Sequence, residues 1–231
     1  MDLLVDSFLS ALLLVASMDP EMVSIVAVSL KVSATSTLLA SLMGVPFGFL
    51  VAFESFPGKR LLITCLNTLL ALPTVVIGLF VYAFISRRGI LGPLDLLYTQ
   101  KAMIIGQTIL IIPIVATFTI AAISRIDERY RKTAKTLGAN RRQTVFVIFR
   151  EARFGIVAAV IAAFGRVIAE VGISMMLGGN AKGFTRTMTT AMALEYDKGQ
   201  FTLAVALGVI LLVLSFGMNL LFHFFQGRTR T

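Results

Sequence analysis

Residues 131–156 read RKTAKTLGANRRQTVFVIFREARFGI, a stretch dense in arginine and lysine, interrupted by a glycine at 138 and flanked on both sides by apolar sequence. A polar segment of this kind between two apolar runs marks a chain that leaves a membrane and re-enters it. The composition agrees. The 231 residues are 57% hydrophobic and only 14% charged, with a mean hydropathy of +0.90, whereas soluble domains carry about a quarter charged residues. This is the composition of an integral membrane protein.

A helix needs about 20 apolar residues, at ~1.5 Å each, to cross the hydrocarbon layer. Five runs of the required kind lie within residues 29–53, 61–85, 103–123, 154–177 and 201–225. Gly, Ser and Thr are scattered through them, as in helices that pack closely inside a membrane. The expected fold class is therefore all-α, a polytopic helical bundle of about five spans. Residues 3–18 are apolar but short and carry Asp6, so they predict an interfacial helix within an N-terminal region 1–28, ahead of a transmembrane domain 29–231. Asp19-Pro20-Glu21 reads as an N-cap, a first-turn proline and an acidic first-turn residue of the next helix.

The formal net charge of +9 invites a search for an anionic partner, so the placement of the basic residues decides its meaning. Nine lie between Arg125 and Arg153, Lys59 and Arg60 follow the first span, and Arg228 and Arg230 close the chain. Five spans bring all three groups to one side, which the positive-inside rule makes cytoplasmic. Asp2, Asp6, Asp19 and Glu21 precede the first basic residue, Lys31, and fall on the other side. The charge is thus chiefly a topology signal and calls for no nucleic acid. Cys65 and His223 are the sole cysteine and histidine. No cluster of metal ligands, no nucleophile with its base and no glycine-rich phosphate loop is present, so the chain is not expected to be an enzyme or to bind a cofactor.

The basic stretch accordingly belongs to a cytoplasmic loop, about residues 124–153. Residues 129–137 can form a short helix, Gly138 a break at positive φ, and residues 141–151 the start of a second helix heading for the membrane. This pattern resembles the EAA loop of binding-protein-dependent ABC importer permeases: E-A-A, three residues, glycine, nine residues, then I-x-L-P. Lys132-Thr133-Ala134 occupies the E-A-A position, with Gly138 and Ile148 at the matching spacings, while Arg150-Glu151 stands in place of Leu-Pro. Ser29-Leu30, Gly44-Val45-Pro46-Phe47-Gly48 and Ala71-Leu72-Pro73-Thr74 extend the resemblance over most of the chain. It implies a type I ABC importer transmembrane domain in a prokaryotic plasma membrane, working as a homodimer with cytoplasmic ATPase subunits that hold the ATP and Mg²⁺, and with an extracytoplasmic binding protein. Lys132, Ala134, Thr136, Leu137, Gly138 and Ala139 would supply the face that docks on the ATPase.

Inside the fourth run, Arg166 and Glu170 stand four residues apart. Charges at membrane depth cost about 2.5–3.5 kcal/mol on insertion scales unless paired or hydrated, so an ion pair is expected, structural or facing the pathway or dimer interface. Glu170, Gly172, Gly178, Gly179 and Asn180 resemble the G-E-F-G and A-G-N sequences of molybdate and other oxyanion permeases. The whole of residues 169–200 resembles the tungstate-type permeases more closely still. Lys182 and Arg186 follow in an outer loop, with Thr185, Thr187, Thr189 and Thr190 as further hydroxyl donors for an anion. The resemblance implies ATP-driven import of an oxyanion, tungstate before molybdate or sulfate. An ion-coupled secondary transporter using Arg166 and Glu170 is the alternative of another class, but no inverted repeat is visible and the basic loop would go unexplained.

Overall fold

The computed structural model describes residues 10, 11 and 13–227, and every regular element among them is helical. After helical residues 13–16, the chain forms α1 (Pro20–Phe53), α2 (Lys59–Leu70), α3 (Thr74–Ile85), a 3-10 turn (Gly92–Leu94), α4 (Gln100–Ser124), α5 (Glu128–Thr136), α6 (Arg141–Ile168), α7 (Gly172–Gly178), α8 (Met188–Asp197) and α9 (Phe201–Gly227). α1 starts as its sequence predicts: Asp19 caps it, its side chain accepting the Met22 N–H, with Pro20 and Glu21 in the first turn. It then runs without a break past residue 28. Of the expected interfacial helix, residues 3–9 and 12 fall outside the described residues, but Ala11 is fully buried in a cluster with Met22, Ile25, Ile168 and Leu207. The chain just before α1 therefore packs on the bundle.

α1 and α4 form the spine. They lie parallel, with Ser36 beside Gln107, Gly44 beside Val115 and Gly48 beside Ala116. Ser36, Ala40, Gly44 and Gly48 recur every four residues and make one buried, side-chain-poor stripe. Such stripes let helix backbones approach where no hydrophobic effect drives them together. The contact is close enough that a Cβ on Gly48 would sit 2.5 Å from the Ala116 carbonyl oxygen. Ser36 Oγ and Gln107 Oε1 lie 3.1 Å apart, and Gln107 Nε2 donates to Ser174 Oγ at 3.2 Å. That relay ties α1, α4 and α7 together.

Three helices are long and apolar enough to cross a membrane unbroken, Pro20–Phe53, Gln100–Ser124 and Phe201–Gln226. The second and fourth expected spans are not straight. α2 and α3 meet at 97°, and α6 and α7 at 61°, so the count reaches five only with each bent pair taken as one crossing. Pro73 is the N-cap of α3 in an extended conformation; it has no N–H to continue α2, and its ring excludes the preceding turn. The second break has no proline. It falls at residues 169–171, where Glu170 leaves the helix and turns its carboxylate onto the first turn of α7. The two breaks touch, since a Cβ on Gly172 would lie 3.0 Å from Thr74 Oγ1 and one on Gly78 would lie 2.9 Å from Met176 Sδ.

Candidate functional site

Three sets of residues stand out: a basic loop at one end, a charged knot at the second helix break, and an ion cluster at the opposite end. In the loop, Asp127 caps α5 by accepting the Arg129 N–H. The helix closes on a Schellman turn: Gly138 donates to Lys135 O at 3.0 Å, Ala139 donates to Ala134 O at 2.9 Å, and Gly138 has φ +78°. Asn140 then caps α6 in a reciprocal box with Gln143. Two contacts fix the loop to the bundle. The Arg131 guanidinium lies 4.4 Å over the Phe53 ring, and Arg141 pairs with Glu54.

These anchors decide which loop residues face outward. Leu137 is 81% exposed at the turn, with Lys132, Thr136 and Gly138 exposed beside it and Ala139 half-buried. Ala134, grouped with them from the sequence, is instead buried against the bundle side of α5. Lys132 pairs with Glu128 at 3.1 Å along the outer face. The result is a projecting small-residue knuckle with one apolar side chain at its tip and charges around it. A partner protein could seat on it with its rim still hydrated.

At the second break, Arg166 Nη1 donates to Glu170 Oε2 at 2.9 Å, the pair expected from the sequence. The placement differs from a common helical face. Arg166 occupies the last turn of α6 and keeps 44% of its side chain exposed, while Glu170 lies beyond the helix and is 3% exposed. Glu170 Oε1 accepts the Ile173 N–H at 3.2 Å, and its backbone carbonyl accepts Thr189 Oγ1 at 2.8 Å. One residue therefore joins the ends of α6, α7 and α8. Beside it, Ser29 Oγ accepts the Met188 N–H at 2.7 Å and brings α1 into the same knot.

At the far end, Gly178 and Gly179 close α7, and Asn180 follows at φ +52°. A Cβ on Gly178 would meet Met103 Sδ at 2.6 Å and one on Gly179 would meet the Tyr98 ring at 2.7 Å, so either would make a neighbouring side chain shift, and Gly179 also has φ +68°. Lys182 Nζ lies 2.7 Å from Glu21 Oε2 and Arg186 Nη1 lies 3.4 Å from Glu21 Oε1. Arg186 is 9% exposed, and its Nε has no hydrogen-bond partner among the described residues. The four threonines do not face an aqueous path. Thr185, Thr187, Thr189 and Thr190 are buried, and they serve the loop itself, Thr185 donating to Gly178 O at 2.6 Å and Thr187 capping α8.

Sequence reasoning missed Glu21, Glu54 and the Asn140–Gln143 box as members of these sites. The box was readable as N-x-x-Q just ahead of the apolar run 145–149. Glu21 meets Lys182 across 161 positions, and Arg141 meets Glu54 across 87, which no local pattern encodes. Among the described residues there is no group of His, Cys, Asp or Glu able to hold a metal ion.

A family model described as "Binding-protein-dependent transport system inner membrane component" matches residues 44–231. A "Probable anion ABC transporter permease protein" of Haloferax volcanii is 40% identical over 213 residues, covering 90% of this chain and 92% of its own length. The "Tungstate uptake system permease protein TupB" of Peptoclostridium acidaminophilum is 37% identical, covering 98% of this chain and 99% of its own. Among solved structures, an inward-facing form of the MetNI methionine ABC transporter superposes with a TM-score of 0.71 at 19% identity, covering 93% of this chain and 97% of that one.

Proposed function

The chain belongs to the binding-protein-dependent transport system inner membrane components, and from that premise we propose that it is the permease of a tungstate importer. It is a polytopic membrane protein with the fold of an ABC importer transmembrane domain. The observation that carries the cargo assignment is the end-to-end match to a tungstate permease, 98% of this chain against 99% of that one. The basic loop lies in the cytoplasm and seats its Leu137–Gly138 knuckle on an ATPase subunit, which holds the ATP and Mg²⁺. The chain itself catalyses nothing. Two copies face each other so that paired Arg166–Glu170 knots flank the path, and a binding protein delivers the anion to the Lys182–Arg186 end. Nucleotide binding draws the two ATPases together and rocks the attached helices, opening the path to alternate sides.

The outer cluster fits an anion that must not stay. Lys182 and the inward Arg186 offer donors to a tetrahedral dianion, while the Glu21 carboxylate already satisfies part of that charge and keeps the site from becoming a trap. The test is uptake by cells whose only route is this system, followed by mass spectrometry of tungsten. Uptake should be saturable at low tungstate, indifferent to an equal concentration of sulfate, and slowed by Lys182→Gln with Arg186→Gln while the ATPase still co-purifies. Equal competition by sulfate or molybdate would move the assignment to that anion. Unchanged uptake in the double variant would remove the outer cluster from the path.

A further inference from the structure

A cavity of about 660 Å³ opens at the loop end, between the last turns of α4, the middle turns of α6 (residues 150–159) and the end of α9. Its two halves differ in kind. Phe118, Ala121, Ala122, Ala158, Ala159 and Phe222 make an apolar floor, while Arg125, Arg150 and Arg153 stand at the rim with Asp127, Glu151 and Tyr130. The rim has an excess of positive charge. Asp127 is engaged by the Arg129 backbone N–H and side chain. Arg125 and Arg150 make no ion pair among the described residues, and Arg153 lies 4.7 Å over the Phe154 ring. On one wall stands α9, a helix long and apolar enough to cross a membrane and only 11% buried along its apolar window, so the cavity opens beside an exposed, membrane-length helix.

We propose that this cavity is a binding site for an anionic phospholipid, with the phosphate on Arg125 and Arg150 and the upper acyl chains on the Phe118–Phe222 floor. Guanidinium forks match phosphate oxygens, and basic pockets between membrane helices select anionic headgroups. An inorganic anion would leave the apolar half of the cavity empty, and an acidic protein surface would have no chains to fill it. The lipid would stand at the root of the basic loop, because α4 passes into α5 through Arg125 and Asp127. Binding depends on the cavity alone and holds whatever the cargo is.

The test is native mass spectrometry of the full chain in detergent, titrated with dioleoylphosphatidylglycerol or dioleoylphosphatidylcholine. Phosphatidylglycerol should be retained over phosphatidylcholine, and Arg125→Gln with Arg150→Gln should weaken it about 30-fold, the product of two near-surface charges. Ala121→Phe, which fills the apolar half and touches no charge, should weaken it as well and guards against a poorly folded double variant. Three results would overturn the site. They are equal retention of the two lipids, undiminished phosphatidylglycerol in both variants, and displacement by inorganic phosphate at equal concentration.

Discussion

Glu170 carries more of the structure than its neighbours. With one oxygen on Arg166, the other on the Ile173 N–H and its carbonyl on Thr189, it holds three helix ends. The pairing was legible in the sequence from the i,i+4 spacing; its use as a cap was not, because that depends on the chain breaking at residue 169. Glu170→Gln keeps an acceptor for Ile173 and loses only the charge, whereas Glu170→Ala leaves a buried N–H bare, which costs about 1–3 kcal/mol. Thermal unfolding in detergent should therefore rank wild type above Gln and Gln above Ala. Equal midpoints for Gln and Ala would show the cap to be idle. Gly138 presents the opposite case, fully legible from its place after a short basic helix. A Cβ there meets nothing within 4 Å, so only its φ of +78° restricts it. Left-handed backbone costs an L-residue about 1–2 kcal/mol, with Asn the mildest exception. Gly138→Asn should keep ATPase co-purification and transport, and Gly138→Val should lose them; if both behaved alike, space rather than φ would govern the turn.

At the scale of helices, hydropathy located the apolar runs and missed their direction. Pro46 and Pro113 sit inside helices that continue through them, whereas Pro73 starts a new one. What separates them is tertiary. Both prolines lie in helices of the packed spine, Pro113 on its buried side and Pro46 on its exposed side, and that packing carries the helices through them, while α2 is mostly exposed and lacks such support. The small-residue stripe of α1 was visible only as scattered Gly and Ser, and its partner face on α4 could not be named from one sequence. Because Gly48 abuts backbone, no rotamer change can relieve an added methyl group. Gly48→Ala should cost about 1–3 kcal/mol by overpacking, against little for Gly165→Ala, where a Cβ meets nothing within 4 Å apart from its own helix. Denaturation of the two variants side by side checks this. Similar losses would mean that the spine gives way more easily than its distances imply.

Over the whole molecule, the knuckle at one end and the ion cluster at the other are joined by α1, which is capped beside Glu21 and ends at Glu54. Glu21 binds the outer loop through Lys182 and Arg186, and Glu54 binds the basic loop through Arg141. A single 34-residue helix thus touches both ends, and under the proposed function rigid tilting of α1 with α4 is the simplest way for movement at the knuckle to reach the ion cluster. Local motif and spacing revealed the knuckle, but long-range pairing hid both glutamates. The central claim, that ATP on a partner subunit drives an oxyanion through this chain, is tested most directly by tungstate accumulation in proteoliposomes holding the permease, its ATPase and its binding protein. Accumulation should require hydrolysable ATP on the knuckle side and persist when protonophore collapses any pH gradient; accumulation that runs on a proton gradient without nucleotide would contradict it.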